Sequence, residues 1–224
     1  KKDDSHTNLK SLTGCGCLTT RPLNENGDVL AFSYTAFTLE WWIKDGDKIK
    51  FPLQGKMHKE AVIWIMEKAK ENGIELPFEY KMHYDLPYEP ITNDYEYNLE
   101  NQPRLNEIMH YRIMAHLALE DALLEMKPHS DIRVWPHHFD IAARYTLNER
   151  KGHIIGLGMA IPDEICSNFY LYVKGYAGEY PVDISNVSDL DNGYWDESFN
   201  GAILELTEKS NLKESYQFFA EAVR

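Results

Sequence analysis

Residues 37–53 constrain this chain more tightly than any other stretch. Phe37, Leu39, Trp41 and Ile43 alternate with Thr38, Glu40, Trp42 and Lys44. Asp45-Gly46-Asp47 then interrupts, and Ile49, Phe51 and Leu53 resume the alternation. Successive side chains of a strand point to opposite faces, so the pattern describes two strands joined by a tight turn. Glycine in the turn tolerates the positive φ that such hairpins require. A lone hairpin is barely stable in water, so this one needs further strands and a covering layer.

The rest of the chain offers both. Over residues 57–72, Ala61, Ile65 and Ala69 mark a helical stripe widened by Val62, Trp64 and Met66, and Gly73 stands where such a helix stops. Residues 74–80 are expected as a strand that Pro77 confines to an edge or bulge, and residues 81–101 as a long aromatic surface connection. The strongest helix is expected over 102–126. Pro103 suits its first position, Leu105, Met109, Ile113, Leu117 and Leu123 repeat at helical spacing, and Pro128 ends it. Residues 132–147 are expected as one long or bulged strand, and 152–162 as a flexible stretch around Gly156-Leu157-Gly158. A strand is expected over 168–176, with Phe169, Leu171 and Val173 on one face and Tyr170, Tyr172, Lys174 and Tyr176 on the other. An acidic loop over 189–200, a strand over 202–206 and a helix over 209–223 complete the chain. The expected class is α+β, a largely antiparallel sheet with two or three helices packed on one face. Residues 1–16 are expected as a flexible polar lead-in to a single domain over 17–224.

A formal net charge of −13 without any block of Lys or Arg argues against nucleic acid and anionic membrane as partners. The same charge serves solubility or attracts cationic ligands. The cysteines, Cys15, Cys17 and Cys166, make no disulfide framework, so a reducing, cytoplasmic setting is expected. No apolar run approaches bilayer length.

Cys15-Gly16-Cys17 places a pair of sulfurs together, but a closed zinc site takes about four ligands. His116 and Glu120, four apart on one helix face, fit either a partial metal site or a solvated pair. No HExxH, Walker loop, GxGxxG, GxSxG or CxxC pattern accompanies them. No metal is assigned, and the cofactor and oligomeric state stay open.

Chemistry concentrates in Trp135-Pro136-His137-His138-Phe139-Asp140. On an unbroken strand, His138, Asp140 and Arg144 share one face and Trp135, His137 and Phe139 the other. Asp140 is then placed to orient His138, and Arg144 to bind an anion. The alternative is a hydrogen-bonded cluster that orders the strand, with His137 a core histidine. Tyr170 and Tyr172 make an amphipathic wall, and Trp195 joins it from the acidic loop.

Trp135-Pro136-His137-His138-Phe139-Asp140-Ile141 resembles the Trp-Pro-His-x-Phe-Asp-Leu-like segment of a family of bacterial proteins catalogued as a domain of unknown function. Leu18-Thr19-Thr20-Arg21-Pro22-Leu23, Phe169-Tyr170-Leu171-Tyr172, and Tyr194-Trp195 followed by Gly201-Ala202-Ile203-Leu204 are similar to further elements of that family. The resemblance runs from Cys17 to the end and implies a shared shape, with no activity attached.

Together these features suggest a small-molecule-binding domain. The candidate catalytic residues are His138, Asp140 and Arg144. The candidate ligand contacts are His137, Trp135, Tyr170, Tyr172 and Trp195, bordered by residues 156–158. The alternative is a hydrolase or lyase, metal-assisted or not, that uses a histidine as general base on a small polar substrate.

Overall fold

The computed structural model describes residues 7–75, 89–126, 130–136, 138–178 and 180–224. The strand expected over 74–80 and Pro128 therefore lie largely or wholly outside the described residues, and so does His137. The fold is α+β, with extensive antiparallel sheet. It gathers into two compact units, residues 1–109 and 110–224.

The first unit is built on a five-stranded antiparallel meander. Its strands are β1 (Lys10–Leu12), β2 (Cys17–Thr19), β3 (Val29–Ser33), β4 (Thr38–Trp42) and β5 (Lys48–Pro52), in that order. Leu18, Phe32, Leu39 and Phe51 stand opposite one another across four strands, so one face is an apolar row. The short β6 (Lys56–Met57) leads into α1 (His58–Glu71). Trp64 of α1 lays its ring 5.3 Å from that of Phe51, which anchors the helix on this apolar face. A second row, Ala31, Glu40 and Lys50, lies on the opposite face, buried at its centre and exposed at Lys50. Glu40, 5% exposed, accepts hydrogen bonds from Thr38 (3.0 Å) and Trp42 Nε1 (2.8 Å) and pairs with Lys50 at 3.4 Å.

The hairpin turn forms where the alternation places it, but its left-handed residue is Asp45 (φ 58°), not Gly46. Aspartate is among the few side chains that tolerate this region. The polar start also departs from expectation. Residues 10–12 pair with β2 and bury Ser11 opposite Leu18, so a strand lies inside the span read as a flexible lead-in. Edge pairing satisfies backbone groups whatever the side chains, which is why a polar sequence can carry a strand. In the long connection, β7 (Glu96–Tyr97) pairs with β6.

The boundary between the units falls within α2 (Gln102–Met126), whose limits match the sequence pattern. The second unit holds a seven-stranded antiparallel sheet. Its strands are β8 (Arg133–Val134), β9 (Ile141–Asn148), β10 (His153–Ala160), β11 (Tyr170–Ala177), β12 (Tyr180–Pro181), β13 (Tyr194–Asp196) and β14 (Gly201–Glu205). The spatial order is β13-β14-β11-β10-β9-β8, with β12 paired to β11. α3 (Leu212–Ala222) packs against β11 and β14 and buries Phe218 and Phe219 completely. Asn211 caps α3 by accepting the Glu214 N–H at 3.1 Å.

Two expectations fail here. Residues 132–147 are not one strand: β8 and β9 are separate, and residues 135–140 form the corner between them. The Gly156-Leu157-Gly158 stretch is not a flexible border but the middle of β10, paired on both sides. Sheet pairing on both edges fixes a glycine-rich segment that has no stiffness of its own.

Candidate functional site

The corner at 135–140 is closed by a backbone hydrogen bond from Trp135 N–H to Asp140 C=O at 2.9 Å. Phe139 adopts a left-handed conformation (φ 53°), unusual for a bulky residue. Arg112 of α2, 1% exposed, supports it. Its guanidinium donates to the Phe139 carbonyl at 2.6 Å and stands 4.3 Å from the centre of the Phe139 ring. Arg112 thus ties the corner to the helix by a charge-assisted bond and a cation–π contact. Arg112 was not among the expected site residues, because nothing in a helical pattern says that an arginine faces inward.

The corner breaks the strand alternation on which the expected grouping of His138, Asp140 and Arg144 rested. His138 is exposed on the turn. Alternation resumes at Asp140, so Asp140, Ala142 and Arg144 point to one side. Asp140 accepts a hydrogen bond from the Tyr172 phenol at 2.5 Å. Burial first, and then the neighbouring Asp140 carboxylate, push the Tyr172 phenol well above its ordinary range, so it stays a proton donor. Tyr170, 2% exposed, donates to Asp163 at 2.9 Å and is raised for the same reasons. Each phenol is therefore committed to a carboxylate. Phe199 stands edge-on to both rings, at 6.5 Å from Tyr170 and 6.1 Å from Tyr172.

Gly158 makes the Asp140–Tyr172 bond possible. It lies opposite Tyr172 and Ala142, and a Cβ there would stand 2.4 Å from the Ile141 carbonyl and 2.9 Å from the Tyr172 hydroxyl. The phenol therefore crosses β10 where only glycine leaves room. Arg144 lies opposite Gly156, with Lys174 on the other side of the same glycine. The Lys174 ammonium is 4.5 Å above the Phe199 ring.

Trp195 stands elsewhere. It is opposite Ala202, which is opposite Val173, whereas Tyr172 is opposite Ile203. Residues that face each other across strands share a side, so Trp195 and Tyr172 lie on opposite faces of the sheet. The expected wall of Tyr170, Tyr172 and Trp195 around one hollow does not form.

On the Trp195 side the second unit has a cleft of about 980 Å³. Ile155 and Val173 contribute to its floor, Val182 and Ile184 to a wall formed by the chain after β12, and Glu221 to the end near α3. Val182 is held over Gly175 by its N–H bond to the Gly175 carbonyl at 3.0 Å. The Trp195 indole donates to the Ser188 carbonyl at 2.9 Å, which fixes the ring at the cleft edge. Asp183 and Asp189 also line it. Residues 182–190 were not expected to take part. Their signal was the spacing of Val182, Ile184 and Val187 in a polar segment, too short and irregular to read as an element.

The remaining candidates are simply placed. His116 Nε2 and Glu120 Oε1 are 3.2 Å apart, as the four-residue spacing suggests. Cys17 is buried, its Sγ 3.3 Å from the Cys15 carbonyl, and burial pushes its thiol up to about 12. Among the described residues, no group of three or more His, Cys, Asp or Glu side chains is arranged to hold a metal ion, and no helix is long and apolar enough to cross a membrane. No family model, curated protein or solved structure matches the chain.

Proposed function

We propose that the protein is a small-molecule-binding domain and that its site is the cleft beside Trp195. One observation carries this reading: a concavity of about 980 Å³ on a rigid sheet, with an indole fixed at its edge. Ligand sites are typically clefts of roughly 300–1,000 Å³, mostly apolar, with a few polar groups that orient the guest. Ile155, Val173, Val182 and Ile184 supply the apolar part, and Asp189 and Glu221 the polar part.

Binding is favoured over histidine-based catalysis by what the other face does. A general base needs an acid and a cation in hydrogen-bond reach around a hollow. There Asp140 is engaged by Tyr172, Arg144 is exposed and opposite a glycine, and Arg112 serves the Phe139 backbone. The unpaired thiols and the charge of −13 support a reducing, cytoplasmic setting with neither nucleic acid nor anionic membrane as partner.

A fragment screen by two-dimensional NMR tests the site. The indole N–H of Trp195 is assigned by its loss in Trp195→Phe. Hits that move this resonance together with the amides of Val173 and Val182 are expected. A hit set that moves only Tyr172 and Asp140, or no residue of the cleft, refutes the assignment.

A further inference from the structure

The polar groups of the cleft are not evenly mixed. Asp183, Asp189 and Glu221 line it, against Arg224 as the permanent cation. Arg224 lies 3.4 Å from Glu125 outside the cleft, so its charge is already answered. The acids differ in how far they are committed. Asp183 accepts the Ser185 N–H at 2.9 Å, and Glu221 accepts the Asp191 N–H at 3.2 Å. Asp189 has no hydrogen bond or ion pair among the described residues.

Connectivity gathers these groups at one end. Trp195 Nε1 holds the carbonyl of Ser188, the neighbour of Asp189, and Glu221 holds the backbone of Asp191. Indole, free carboxylate and committed carboxylate are therefore linked through the 188–191 backbone, and Ile155, Val173 and Val182 line the same cleft as its apolar floor and wall.

We propose that the cleft takes a small organic cation, an ammonium group on an apolar body, with the ammonium at Asp189, Glu221 and Trp195. The inference rests on the cleft being the binding site and names the class of guest. Three guests compete. An anion meets carboxylates in a chain whose net charge is −13. A neutral apolar guest strips water from the unpaired Asp189 carboxylate and offers nothing in return, which is unfavourable. A cation restores what the carboxylate loses and gains the indole face as well. The body then lies on the buried floor at Val173 and covers Val182, whose exposed side chain otherwise faces water.

The test is calorimetric titration of the full chain with phenylbutylamine, phenylbutanol and phenylbutyrate, which share one body and differ in the head. The amine is expected to bind about tenfold or more tighter than the alcohol, with the acid weakest. Its affinity should fall as salt rises, while the alcohol's does not. Asp189→Asn, an exposed and conservative change, should bring the amine close to the alcohol and leave the alcohol as it was. An alcohol as tight as the amine, or an amine indifferent to Asp189→Asn, overturns the cation while leaving the cleft as a site. Failure of all three probes to bind or to shift the Trp195 indole overturns the cleft and the cation together.

Discussion

Replacing Gly158 by alanine is expected to destabilise the second unit by about 2–4 kcal/mol, whereas the same change at Gly156 should be neutral or slightly stabilising. Both glycines lie in β10, two residues apart, and both point to the Tyr172 side. At Gly156 a Cβ meets only the Lys174 carbonyl, at 3.9 Å, an ordinary contact. At Gly158 it would meet the Ile141 carbonyl at 2.4 Å, Ala142 Cβ at 2.9 Å and the Tyr172 hydroxyl at 2.9 Å. Ile141 and Ala142 belong to the paired strand β9, so they yield only by disturbing the ladder. Overpacking of this kind costs about 1–3 kcal/mol. Displacing the phenol also weakens its bond to Asp140, and bonds to charged groups are worth about 1.5–3 kcal/mol. The two losses overlap, because water can reach part of the vacated carboxylate. Urea unfolding of both variants against the parent measures the difference. In a Tyr172→Phe background the Gly158→Ala cost should shrink, because one clashing atom and its hydrogen bond are already gone. Equal midpoints for Gly156→Ala and Gly158→Ala would refute the claim that Tyr172 crosses β10 over a bare glycine.

Glu40 should make the first unit acid-sensitive. Burial alone raises its carboxyl, but hydrogen bonds from Trp42 and Thr38 and the charge of Lys50 outweigh that, so it sits below its ordinary 4.5. A depressed folded pKa contributes stability above the unfolded value and loses it as pH falls through the folded one. Glu40→Gln should therefore flatten the pH dependence of the urea midpoint below the ordinary value, and an unaltered acid limb counts against the pairing. Asn211→Ala removes the cap of α3 and should cost about 1 kcal/mol, read from the same unfolding curves. Thiol titration should find one fast-reacting cysteine in the native protein, the exposed Cys15, and all three after denaturation. Rapid labelling of Cys17 in the native state would contradict its burial and its high pKa.

Local order was legible wherever periodicity and punctuation agreed. The hairpin of β4 and β5, the limits of α2, the stop of α1 at Gly73 and the two faces of β11 all follow from alternation, helical repeat and turn residues close in sequence. The break at 135–140 was not legible. Its cause is a left-handed Phe139 held by Arg112, and those residues stand 27 apart. Gly156 and Gly158 read as looseness because glycine carries no local preference, yet β9 and β11 pair with them on either side. The residues expected to share one hollow are distributed differently. Asp140 and Tyr172 do meet, but as a bonded pair, and Trp195 belongs to the other face.

The sequence by itself determined the α+β class, most element limits and the acidic, thiol-bearing character of the chain. These depend on side chains a few residues apart and on totals, which need no knowledge of how elements dock. Only the tertiary structure decided which strand lies beside which, and so which face each aromatic presents. Strand register also set the cleft, since Val173, Val182, Trp195 and Glu221 meet only once β11, β12, β13 and α3 are in place. Pairing between distant segments is fixed by backbone hydrogen bonds and collective packing, and no local pattern of residues encodes that partner choice.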